Sequence, residues 1–146
     1  MKLMVINNSS SSIVIIKGLL NFTYVENTGG AYGFGANYTI VITILNIFVI
    51  GSILSFVILK QNKLEGKVIV GSIFIIAGGI GNLIDRIFRG YVVDYIDINP
   101  LFKYPIFNLA DIFIVLGSII LVIGVILSEK KEKLNESVWN KKRRCE

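Results

Sequence analysis

The chain has 146 residues, 53% apolar and only 17% charged, with a mean hydropathy of +0.70; a soluble domain carries roughly 25% charge. It has no histidine and one cysteine, Cys145, which excludes Ser-His-Asp and Cys-His catalysis, an intramolecular disulfide and cysteine-held zinc. The formal charge of +5 suits a nucleic-acid partner only if the basic residues form a patch, and here they mark topology.

Residues 1–37 precede the first long apolar run. No cleavable signal peptide is apparent, because residues 1–16 hold no continuous apolar region ahead of the run Ser9 to Ser12. Ile13-Val14-Ile15-Ile16, a turn at Lys17-Gly18, and Phe22-Thr23-Tyr24-Val25 predict a small β-element. Tyr38 to Leu59 then gives 22 residues without an Asp, Glu, Lys or Arg, and Val68 to Ile84 and Ile112 to Ser128 give 17 each. A bilayer crossing needs about 20 apolar residues, with a range of about 17–25. These runs predict spans over 38–59, 68–87 and 108–128, with 60–67 an inner loop, 88–107 an outer loop and 129–146 a mobile basic tail. Lys60, Lys63 and Lys67 follow the first span; Lys130, Lys131, Lys133, Lys141, Lys142, Arg143 and Arg144 follow the third. Two crossings separate the clusters, so both lie on one side, which the positive-inside rule makes cytoplasmic. Nucleic acid is not the expected partner, and anionic phospholipid headgroups are. The expected fold is an all-α integral membrane protein in a single domain, with three transmembrane helices and a small extracytoplasmic β-element.

The acids carry the chemistry. All four aspartates, Asp85, Asp94, Asp97 and Asp111, lie between the outer end of the second span and the outer start of the third. Carboxylates at a membrane boundary are unfavourable unless they serve a purpose. Asn82-Leu83-Ile84-Asp85 and Asn108-Leu109-Ala110-Asp111 repeat one pattern, in which i,i+3 spacing sets an amide beside each carboxylate. Asn108 with Asp111 also reads as a helix start, the amide at the N-cap and the acid at N3. Arg86 follows Asp85 and is placed to pair with an acid across the loop. Ala77-Gly78-Gly79-Ile80-Gly81 lets neighbouring helices approach closely. Two carboxyls held together share one proton; the charged member then activates water while the neutral member donates to the scissile carbonyl.

Tyr24 to Gly33, Gly78 to Arg86, Gly90 to Asp97 and Phe107 to Asp111 resemble, in order and approximate spacing, the lipoprotein signal peptidases of bacteria (signal peptidase II). The resemblance covers nearly everything from Ile13 to Leu127. It implies a multi-pass aspartic endopeptidase of the bacterial plasma membrane, with its site at the extracytoplasmic face and its tail in the cytoplasm. Such enzymes cut signal peptides from prolipoproteins just before a cysteine that has received diacylglycerol. It implies Asp94 and Asp111 as the catalytic pair, and Asn27, Gly29, Asn82, Asp85, Arg86 and Asn108 as substrate-binding or site-supporting. It implies neither metal nor organic cofactor, a monomer, and diacylglyceryl-modified prolipoproteins and membrane phospholipids as partners. Family members usually have four spans, the first ending near an Asp-Gln-x-Thr/Ser-Lys motif. Here Met1 to Ser12 alone precede the β-element, and Lys2 falls where that lysine would, so the expectation is a chain without that first helix.

Two other readings stay open. One is a catalytically impaired, shortened relative that binds lipidated prolipoproteins without cutting them. The other is a small transporter or proton-relay protein, whose acids should spread through the depth of a span rather than cluster at one face. A Ser-Lys pair using Lys17 or Lys103 lacks a positioned serine motif.

Overall fold

The computed structural model describes residues 1–8, 12–30, 34–36 and 38–143. Ser9 to Ser11, Ala31 to Gly33, Arg144 and Cys145, all singled out above, lie outside the described residues. Among the described residues, three helices are long and apolar enough to cross a membrane. Helix α2 (Thr39–Lys60) is apolar on every side and buries only Ile50, as a lipid-facing helix should. Helix α3 (Gly66–Arg89) instead buries a stripe of small and polar residues that includes Gly71, Ser72, Gly78, Gly79, Asn82 and Asp85. It stands between α2 and α4 (Leu109–Arg143) and packs on both.

Glycine at two positions of α3 sets these distances. A Cβ on Gly78 would run into the carbonyl oxygen of Ala110, and one on Gly79 would come within 2.9 Å of Ile50 Cδ1. Lipid tails give helices no hydrophobic reason to associate, so close backbone packing has to hold them together. The contact at Gly78 fixes the C-terminal part of α3 against the first turn of α4, where the acids lie. Helix α3 then ends at Gly90, whose φ of +80° closes a left-handed cap with its N–H on the Arg86 carbonyl.

That reversal feeds strand β3 (Val92–Asp97), which joins β1 (Ile13–Ile16) and β2 (Leu20–Asn27) in an antiparallel sheet of order β1-β2-β3. Val25 pairs with Asp94 and Asn27 with Val92. Beyond β3 the chain loops out and returns so that the Phe107 carbonyl accepts the N–H groups of Tyr95 and Ile96 at 3.0 and 2.7 Å. Asn108 therefore enters α4 alongside β3. A short helix α1 (Lys2–Asn7) lies against β2 and β3, with Val5 2% exposed.

The expected β-element is present, with β1 where it was read and β2 longer at both ends. Strand β3 was not expected: it lies within 88–107, read as an outer loop. Its residues Val92, Val93, Tyr95 and Ile96 favour a strand, but two aspartates among them have the look of a loop. The tail also differs, because α4 continues as helix to Arg143 rather than ending at 128. Its Glu- and Lys-rich composition favours helix, and Lys131 reaches back to Glu65 Oε1 at 2.9 Å.

Replacing Gly78 with alanine should force α3 and α4 apart. The expected loss is about 1–3 kcal/mol of stability, read as a lower unfolding temperature in detergent with membrane insertion unchanged; wild-type stability would contradict the packing described.

Candidate active site

Asn108 is fully buried and opens α4. Its Oδ1 accepts the N–H of Ala110 at 2.7 Å and of Asp111 at 3.3 Å, while Asp111 Oδ2 accepts the Asn108 N–H at 2.9 Å. This reciprocal cap satisfies donors that every helix start leaves open. The Asn108 Nδ2 group is thereby turned outward, where it donates to Asp94 Oδ1 at 2.6 Å and Asn82 Oδ1 at 3.0 Å. Asn82 Nδ2 in turn donates to Asp111 Oδ1 at 2.8 Å. Two amides thus link the carboxylates of Asp94 and Asp111, one on a strand and one on a helix.

The second Asp94 oxygen is held from β2. Asn27 Nδ2 donates to Asp94 Oδ2 at 2.9 Å, and Asn27 Oδ1 accepts the Gly29 N–H at 2.9 Å. The Gly29 carbonyl accepts from Arg86 Nη2 at 2.8 Å. Arg86 Nε is buried with no partner among the described residues. A cavity of about 390 Å³ opens over this arrangement, polar where Asp94, Asp111, Asn27, Asn82 and Arg86 line it and apolar along Ile42, Ile114 and Val115. An adjoining space of about 470 Å³, bounded by Thr28, Glu26 and Asn99, also reaches Asp94.

Burial raises the Asp94 carboxyl above its ordinary value, and the nearby negative charge of Asp111 adds to this; hydrogen bonds from Asn27 and Asn108 and the charge of Lys2 oppose but do not cancel it. Asp97 behaves oppositely. Burial pushes it up, but the Asn99 N–H, the Asn99 side chain and the Thr23 hydroxyl outweigh that and hold it below the usual range. Asp97 is a structural acid that ties β2 to the loop after β3.

Asp85, 5% exposed, does not line the cavity. Its Oδ2 accepts Lys2 Nζ at 2.6 Å and the Val93 N–H at 2.9 Å, and Arg89 Nε lies 3.8 Å from Oδ1. One carboxylate thus joins α1, α3 and β3.

Of the residues singled out from sequence, Asp94, Asp111, Asn27, Asn82 and Arg86 line one cavity, Asn108 bonds beneath them, and Gly29 supplies a carbonyl. Three expectations change. Arg86 binds the Gly29 carbonyl rather than an acid across the loop. Asn82 serves Asp111 on the next helix, not Asp85 on its own. Asn108 does bond Asp111 through its backbone, but its side-chain donor goes to Asp94. Two contributors were not anticipated: Lys2 as the partner of Asp85, its lone charge beside an apolar stretch being the available signal, and Asn46, an isolated amide in an otherwise uncharged span, which also lines the cavity. Among the described residues no cluster of three or more acids or thiols could hold a metal ion.

The family profile described as signal peptidase (SPase) II matches residues 1–127. The lipoprotein signal peptidase of Clostridioides difficile (strain 630) is 37% identical over 134 residues, covering 90% of this chain and 88% of that protein. That of Halothermothrix orenii is 41% identical over 126 residues, covering 83% and 80%. A bacterial membrane enzyme solved by the in meso method at 2.3 Å resolution superposes with a TM-score of 0.79 at 28% identity, covering 89% of this chain and 80% of the other.

The Lys2–Asp85 pair generates a test. Lys2→Met should lower stability by about 2 kcal/mol, because it leaves a buried carboxylate short of its closest cation. Adding Asp85→Asn should restore part of that loss in a double-mutant cycle of thermal unfolding; strict additivity would show that the pair is not coupled.

Proposed function

The chain belongs to the signal peptidase II family, and on that premise we propose that it removes signal peptides from diacylglyceryl-modified bacterial prolipoproteins, with Asp94 and Asp111 activating the water. The observation that carries the reading is the amide bridge. Asn82 and Asn108 hold two carboxyls from separate elements against one cavity, and no structural demand of a helix bundle requires both to be there.

The chemistry follows from the surroundings of each acid. Asp94 is buried and holds the pair's single proton. Asp111 sits at the N-terminus of α4, where the helix dipole favours negative charge, and accepts hydrogen bonds from Asn82 and from the Asn108 backbone. Asp111 takes a proton from water as the water attacks the scissile carbonyl. Asp94 donates a hydrogen bond to that carbonyl oxygen, and the pair then protonates the departing amine. Arg86, with Nη2 on the Gly29 carbonyl, keeps the β2 turn in place beside Asp94. Asn27 steadies the Asp94 oxygen that faces β2.

In the bacterial plasma membrane the site is at the extracytoplasmic rim, where the mature part of a prolipoprotein emerges. Two features support that orientation. The acids gather at the ends of α3 and α4 far from the lysines of 60–67, and the basic end of α4 is on the lysine side. The apolar side of the cavity suits the acyl chains of the substrate, and the protein acts as a monomer on a lipid-embedded substrate.

Purified protein in detergent or vesicles should cleave a diacylglyceryl-modified prolipoprotein. Asp94→Asn and Asp111→Asn should each lower kcat by about 10²–10⁴-fold while inserting normally, and Asp97→Asn should stay near wild type. Full activity in either of the first two variants would remove the assignment.

The pH profile supplies a separate check. A raised Asp94 keeps its proton above the ordinary carboxylate range, so cleavage should fall only as pH rises through that raised value. Asn27→Ala deletes a hydrogen bond to the ionised form, which favours the proton further. The alkaline limit should therefore move to higher pH; movement to lower pH would mean that Asp94 is not the proton-bearing member.

A further inference from the structure

Asn46 is the one amide side chain in α2, and the proposed chemistry leaves it unused. Two hydroxyls within the same helix bond back onto it: Thr43 donates to the Thr39 carbonyl at 2.7 Å and Ser52 to the Phe48 carbonyl at 2.8 Å. Asn46 reaches across instead. Its Nδ2 donates to the Gly79 carbonyl of α3 at 3.2 Å, and its side chain lines the same cavity as Asp94 and Asp111. Its Oδ1 accepts no hydrogen bond from any described residue. Gly79 lets α2 come this close, since a Cβ there would lie 2.9 Å from Ile50 on the same helix.

The position of this amide is informative. Gly79 precedes Asn82, the partner of Asp111, by one helical turn, about 4.5 Å at roughly 1.5 Å per residue. Asn46 therefore bonds α3 three residues before Asn82 and leaves an open acceptor on the wall of the cavity that the paired carboxyls line. A polar atom in such a place is unfavourable unless something bonds to it.

A signal peptide supplies the missing donor. It crosses the bilayer as a helix with its backbone groups satisfied internally, and it must leave that helix to offer one amide bond to the carboxyls. The freed N–H groups then face hydrocarbon. At about 3.3 Å per extended residue, an acceptor on the wall of the cavity that holds the carboxyls meets the chain within one or two residues of the cut. We propose that Asn46 is a substrate-binding residue whose Oδ1 accepts the main-chain N–H of a signal-peptide residue one or two positions upstream of the cleaved bond. This rests on the peptidase reading above.

The test alters the substrate as well as the protein. Diacylglyceryl-modified prolipoprotein peptides are made with the main-chain N–H replaced by an ester oxygen at each of those two positions in turn, leaving the scissile amide intact. With wild-type protein, one replacement should raise KM about fivefold, the size of one hydrogen bond, with kcat little changed. Asn46→Leu should raise KM similarly for the all-amide peptide and should not respond to the ester. That lost response is what a purely structural role for Asn46 would not produce. Asn46→Ala, which adds no bulk, gives the same comparison where the leucine variant fails to insert. Equal KM for ester and amide peptides with the wild type overturns this inference alone, as does an undiminished ester effect in the variants. A wild-type protein that cleaves no peptide overturns the peptidase reading together with it.

Discussion

Every polar atom of Asn108 is in use. Its backbone N–H goes to Asp111 Oδ2, its backbone carbonyl takes the N–H of Asp111 and Ile112, its side-chain oxygen caps α4, and its side-chain nitrogen divides between Asp94 and Asn82. A fully buried amide has little freedom to rearrange, because each lost bond leaves a buried polar group unsatisfied. Strand β3, the start of α4 and the C-terminal part of α3 are therefore registered to one another through one side chain. The two carboxyls inherit their relative position from that registration.

The rest of the fold brings Asn108 to that point. Lipid cannot press the helices together, so the glycine contacts of α3 with α4 and α2 do so. The left-handed cap at Gly90 turns the chain at the end of α3, and the Phe107–Ile96 bridge turns it again before α4. Asp85 closes the arrangement from behind, holding the Val93 N–H and Lys2 together. The polar network gathers at one end of the molecule while the flanks of α2 and α4 stay apolar, which is how a membrane protein confines its hydrogen-bonding demands to a place where water can enter.

Much of this was legible in the amino-acid order. The three spans follow from uncharged runs, and the Asn108–Asp111 cap follows from residue types at the right spacing. The aspartates drew notice because acids are unfavourable at membrane boundaries. What was hidden depends on tertiary contact. Strand β3 is too short to declare itself around two acids, and its pairing with β2 spans some seventy residues of sequence. The partner of Asn82 could not be read from i,i+3 spacing, because the helix beside it offers a better-placed carboxylate than its own. The binding of Arg86 to a carbonyl rather than an acid reflects the turn at Gly29; Asn27-Thr28-Gly29-Gly30 marks a turn but not which side chain its carbonyls meet. The helical end of α4 was readable from its Glu and Lys content, but its charge density drew attention to topology instead.

The central claim is that the Asp94–Asp111 pair carries one proton at neutral pH and that this proton is on Asp94. Infrared difference spectroscopy of the protein in lipid, titrated across the neutral range, observes the carbonyl stretch of a protonated carboxyl directly. The account predicts one such band near neutral pH that disappears on raising the pH and is absent from Asp94→Asn. A spectrum with no protonated carboxyl near neutral pH, or a band that persists in Asp94→Asn, would contradict it.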